Sequence, residues 1–157
     1  MNIYRVTFTA ILLSLIPGMV FAGQPGLSIK DAWIQEGPPN APVLAGFMQI
    51  TNNGDKTVNI TSADSDLFES IEFHRTVHVD GMARMEKQQQ LTIEPGATLK
   101  LEHGGYHLML MQPARSLTSG DTVDLILMLS SDMRMPIKLT VRQPEQKQEH
   151  MHHHHHH

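Results

Sequence analysis

Two short stretches hold residues whose types and spacing could do chemistry. In His107-Leu108-Met109-Leu110-Met111, an alternating strand would put His107, Met109 and Met111 on one face and Leu108 and Leu110 on the other. A two-residue step spans about 6.5–7 Å, so an imidazole and a thioether on that face can converge on one ion between them. The preceding Gly104-Gly105 lets the backbone turn sharply just before His107. Taken alone, the pentapeptide also reads as core-filling methionines beside an incidental edge histidine. The second stretch shifts that balance. Glu72, His74, Thr76 and His78 alternate with Phe73, Val77 and Val79, which puts both histidines on the polar face of a strand. After an Asp80-Gly81 turn come Met82 and Met85. Two neighbouring segments that each offer histidine and methionine on a non-core face are hard to account for as packing.

The donor types narrow the chemistry. The 157 residues include no cysteine, which excludes a disulfide framework, a thiolate zinc site, an iron–sulfur cluster, a thiol nucleophile and a blue-copper centre of the usual kind. Any metal must be held by imidazole, thioether or carboxylate. A His/Met set suits Cu(I) far better than zinc, magnesium or calcium, and silver would bind as well. Thioethers bind without losing a proton, whereas imidazoles must be neutral, so affinity should weaken as pH falls through about 6.5. The net charge of −4 with histidines neutral gives no general grip on nucleic acid or anionic lipid. No Gly-x-Ser-x-Gly elbow, phosphate-binding glycine loop or His-Glu-x-x-His helix occurs, so an enzyme is not expected.

The elements that must position these residues are strands. Between Gly23 and Val141 no amphipathic helix stands out. Short apolar or alternating runs recur instead: 27–34, 43–51, 58–62, 71–79, 82–87, 90–93, 98–101, 107–111, 123–129 and 137–141. Breakers such as Gly37-Pro38-Pro39-Asn40, Asn52-Asn53-Gly54-Asp55 and Glu94-Pro95-Gly96 separate them. This spacing predicts one all-β domain over 23–143, an antiparallel Greek-key β-sandwich. Residues 1–22 read as a secretory signal: Arg5 is followed by an apolar run from Ala10 to Val20, too short and too broken to span a bilayer, and by small residues before Gly23. A periplasmic protein without a membrane span after processing follows. Residues 144–157 read as a polar, His-rich tail that is expected to be disordered. Its last six histidines have the form of a purification tag, yet with His150, Met151 and His152 they also make one continuous tract able to favour Cu(II).

The chain also resembles a family, the periplasmic copper chaperones called PCu(A)C, which are small cupredoxin-like β-sandwiches. Their motif is a histidine, ten residues, a methionine, twenty-one residues, then His-x-Met. Here His74, Met85, His107 and Met109 stand in that register. Flanking likeness includes Asp31-Ala32-Trp33, Pro38-Pro39-Asn40-Ala41-Pro42, Ala45-Gly46-Phe47, Ile50-Thr51-Asn52, Glu72-Phe73-His74 and Gly105-Tyr106-His107. The resemblance implies one Cu(I) bound by His74, Met85, His107 and Met109 at an exposed rim. It also implies delivery toward the copper centre of cytochrome c oxidase subunit II, with Sco-type assembly factors as partners. His78 stands where the family often has methionine, and Met82 is an extra sulfur; with Met111 they are accessory candidates. Met133 and Met135 fall outside the motif, and His103 cannot be placed from sequence. Two other classes stay open: a copper redox or electron-transfer protein, and a β-sandwich interaction module whose methionines merely pack.

Overall fold

The computed structural model describes residues 26–144. The expected signal segment and the tail from Glu145, with His150, Met151 and His152, lie outside the described residues. Ten strands form: β1 (Leu27–Gln35), β2 (Val43–Asn52), β3 (Val58–Asp64), β4 (Phe68–Val79), β5 (Met82–Gln88), β6 (Leu91–Ile93), β7 (Thr98–Leu101), β8 (Tyr106–Pro113), β9 (Thr122–Leu129) and β10 (Arg134–Arg142). Each corresponds to one expected run, and no helix occurs among the described residues. None is therefore long and apolar enough to cross a membrane.

The strands pair in the order β5-β4-β8-β7-β2-β1-β10-β9-β3-β6. A further contact between β3 and β4, Ala63 opposite Ile71, curls the sheet back on itself into a barrel-like sandwich. The Greek-key expectation stands with one difference: β1 pairs parallel to β10, and β7 briefly parallel to β8. β1 and β10 open and close the described chain, so no tight hairpin obliges them to run antiparallel.

Alternation builds the core. In β9, Val123, Leu125, Leu127 and Leu129 are buried, and Leu139 and Val141 of β10 join them. Leu108 and Leu110 of β8 and Phe73 of β4 close the core from the other side. Asn52, fully buried at the end of β2, is satisfied throughout. Its amide donates to the Lys56 and Ile93 carbonyls at 2.7 and 3.0 Å, and its oxygen accepts from the Gly54 N–H at 3.0 Å. That side chain ties the β2–β3 loop to β6.

Candidate metal site

Strand β4 lies between β5 and β8, and register decides which side chains meet. His74 stands directly opposite His107 of β8 and Lys87 of β5. Glu72 faces Met109, and Thr76 faces Met85. Directly opposed residues share a face, so Glu72, His74, His107, Met109, Met85 and Lys87 all point away from the core. The reverse face of the same strands is Phe73, Leu108 and Leu110. Asp80 and Gly81, with φ of 51° and 76°, make the two-residue turn that sets the β4–β5 register. Positive φ at both central positions is what a type I′ hairpin requires, and Asp-Gly supplies it.

The two imidazole centroids are 6.0 Å apart with ring planes inclined by 35°. Met109 and Met85 occupy opposite diagonals about His74, each about 7–8 Å away by Cα. An ion held over the His74–His107 pair would lie between the diagonals on which the two thioethers stand. Ala45 of β2, opposite Met109, is small and leaves room beside it.

Polar partners set the rings. His74 Nε2 lies 2.8 Å from Glu72 Oε2, and Lys87 Nζ donates to Glu72 Oε1 at 2.6 Å. The Lys87 hydrogen bond, then that of His74, lowers the Glu72 pKa below the ordinary carboxylate value. His74 Nδ1 is buried and has no hydrogen-bond partner among the described residues. His107 Nδ1 lies 3.2 Å from the Gly105 carbonyl, which also accepts the Thr76 N–H at 3.0 Å. Gly104, at φ 77°, allows the turn that brings this carbonyl under the ring.

Exposure differs sharply across the set. His107 is 7% exposed while Met85 is 64% exposed, so the expected exposed rim is exposed only at its β5 side. β8 is paired on both sides, to β4 and β2, whereas β5 is paired along one edge only.

The accessory candidates separate. His78 shares the face of His74 and lies diagonal to Met85. Met82 does not join Met85: the hairpin register sets it opposite Val79, on the other face. Three residues separate it from Met85, and an odd step reverses the side of a strand, so Met82 is an exposed neighbour on the opposite side of β5. Met111 faces Ser70, about 13 Å along β8 from His107, too far to join the same ion. His103 packs instead in an aromatic cluster, its ring centroid 4.2 Å from Phe47 and 6.0 Å from Trp33. Sequence reasoning left Lys87 out and gave Glu72 no role. The Glu-x-His spacing carried that signal, because period two puts both on one face.

Among the described residues no group of three or more His, Asp or Glu side chains could hold a metal. A site here depends on sulfur, the chemistry of soft monovalent ions.

The sequence model of a family described as "Putative lipoprotein LpqE-like" matches residues 27–141. The chain belongs to the LpqE-like family. This LpqE-like chain is 28% identical over 118 residues to "Putative lipoprotein Lxx21020" of Leifsonia xyli subsp. xyli, covering 74% of the chain and 70% of that protein. It is 30% identical to Cu(I)-bound DR1885 of Deinococcus radiodurans, with a TM-score of 0.63 over 79% of this chain and 83% of that one. The copper-bound PCuAC domain of PmoF2 has the same fold at 17% identity, with a TM-score of 0.64 over 76% of this chain and 94% of that one. The LpqE-like chain is thus a PCuAC-type protein, as its motif resemblance implies.

Proposed function

We propose that this protein is an exported copper chaperone that carries one Cu(I) on His74, His107, Met109 and Met85. The observation that carries this reading is the His74–His107 pair: two directly opposed imidazoles 6.0 Å apart, one with an unpartnered buried nitrogen, and a thioether on each diagonal. A metal–imidazole bond of about 2.0–2.1 Å sets a ring centroid about 3.2 Å from the ion, so two rings at this spacing fit one ion between them. The Cu(I)-bound relative at 30% identity supports the choice of metal. The lipoprotein names of the family and the Leifsonia relative support export to the cell envelope, and the periplasm is the compartment we assign.

Transfer proceeds by ligand exchange. Met85, mostly exposed, gives an acceptor's donor the first point of entry, while the two histidines are covered and hold the ion until a second ligand arrives. Copper-accepting proteins are the partners, and we assign cytochrome c oxidase subunit II and a Sco-type assembly factor as recipients. The histidine tract at 150–157 would collect Cu(II) separately. Anaerobic Cu(I) titration of the chain truncated before His150 tests the site: one equivalent binds tightly, and the variant with His107→Ala and Met109→Ala loses it. Full stoichiometry and affinity in that variant would remove the proposal. Transfer from the loaded truncated protein to a Sco protein or to the oxidase copper domain tests the partners.

A further inference from the structure

We propose that Glu72, braced by Lys87, is a positioning residue that makes His74 offer Nδ1 to the ion while His107 offers Nε2. This rests on the copper reading above and specifies which atoms do the binding. A neutral imidazole has one N–H and one lone pair, and the partner of one nitrogen decides which is which. Ionised carboxylate accepts only. With Glu72 Oε2 at 2.8 Å, His74 Nε2 carries the hydrogen and donates it, leaving the lone pair on Nδ1. Nδ1 is the buried nitrogen without a partner among the described residues, a costly arrangement for a polar atom unless something binds it. Lys87 Nζ at 2.6 Å from Glu72 Oε1 fixes the carboxylate so that its other oxygen stays on the ring.

His107 is set the opposite way. A backbone carbonyl also only accepts, so Gly105 O at 3.2 Å puts the hydrogen on Nδ1 and leaves the Nε2 lone pair outward. The asymmetry has a geometric use. Nδ1 sits close to its own backbone and Nε2 far from it, so the ion is drawn toward β4 and the diagonal on which Met85 stands. Carboxylate partners of metal-bound histidine are a general device, and removing one typically weakens metal binding about 10–100-fold.

Long-range 1H–15N correlation spectra of the full chain labelled with 15N-histidine test this directly. Apo protein should show His74 as the Nε2–H tautomer and His107 as the Nδ1–H tautomer. One equivalent of Cu(I), added anaerobically, should move the His74 Nδ1 and His107 Nε2 resonances and leave the other two nitrogens protonated. Glu72→Ala should mix the His74 tautomers and weaken Cu(I) binding about 10–100-fold, and Glu72→Gln, whose amide oxygen still accepts from Nε2–H, should restore much of both. Glu72 is partly exposed, so both variants fold, and unchanged thermal midpoints confirm it. A Cu(I)-induced shift at His74 Nε2, or an unaltered tautomer and affinity in Glu72→Ala, would overturn the assignment. Cu(I) binding that moves neither His74 nitrogen would remove His74 from the site and defeat the copper reading itself.

Discussion

Replacing Leu108 by alanine separates the stability of the domain from its capacity for copper. Leu108 lies between His107 and Met109 but on the reverse face, fully buried against the core. Its partner across β2 is Gly46, where an added Cβ would come within 3.3 Å of the Leu108 Cβ. With no side chain on Gly46 to lean into the gap, the cavity stays open. Leu→Ala losses run about 2.7–5.0 kcal/mol and grow with residual cavity, so about 4 kcal/mol is expected. At about 2.1 cal/mol/K per residue, a domain of about 120 residues has an unfolding entropy near 0.25 kcal/mol/K, and the apo midpoint should fall by about 16 °C. Cu(I) at about 1,000 times Kd adds about 4.1 kcal/mol to whatever fold binds it. Because the proposed ligands sit on the other face, that increment should survive, and copper-loaded Leu108→Ala should melt within a few degrees of the apo parent. Anaerobic thermal unfolding followed by circular dichroism, with and without Cu(I), reads both numbers. An apo loss under about 1 kcal/mol would refute the cavity argument. A copper increment that changes by more than about 1 kcal/mol between parent and variant would refute the independence of the two faces.

Three other outcomes follow from the same geometry. Met85→Ala should change unfolding free energy by less than about 0.5 kcal/mol, since the side chain is mostly exposed, yet weaken Cu(I) about tenfold, a loss of about 1.4 kcal/mol; competition with a Cu(I) chelator measures it. Asn52→Ala leaves one N–H and two carbonyls without their partner and should cost about 3 kcal/mol in urea unfolding, with Asn52→Asp no better because two carbonyls would then face a carboxylate. The Asp121 carboxyl is held below its ordinary value of 3.8, first by the Thr118 backbone N–H and then by Arg115. The unfolded chain therefore takes up that proton at higher pH than the folded one, so the contribution is present above 3.8 and is lost as pH falls through the lower folded value. Midpoints of the parent should drop more steeply between about pH 5 and 2 than those of Asp121→Asn.

Most of this architecture could be read residue by residue before any pairing was known. Period-two alternation and Gly, Pro, Asn and Asp breakers located all ten strands, because most are buried on one face and bounded by residues that must turn, while β5, exposed on both faces, follows from the Asp80-Gly81 turn after β4. The His-x-Met of β8 shares a face by the same period. What local pattern could not supply was which strands meet. That His74 is opposite His107, and Glu72 opposite Met109, depends on residues of β4 and β8 that are 33 and 37 positions apart finding one register. The parallel contact of β1 with β10 is a tertiary outcome of the same kind. The side that Met82 takes follows from parity alone: three residues from Met85, it falls on the opposite face of β5. His103 was illegible because only the fold brings Phe47 and Trp33 beneath it.

Strand β5 is the one element of the site bonded along a single edge, to β4. β4 and β8 are each held on both sides. Edge strands open at lower free energy than the strands inside a sheet, so the four proposed donors would not share one lifetime. His74, His107 and Met109 would persist as long as the fold does, while Met85 would be lost whenever β5 frays. With copper held as proposed, the rate at which the ion changes hands would be set by a few backbone hydrogen bonds on one strand, and a substitution that stiffens β5 would slow release without touching a ligand.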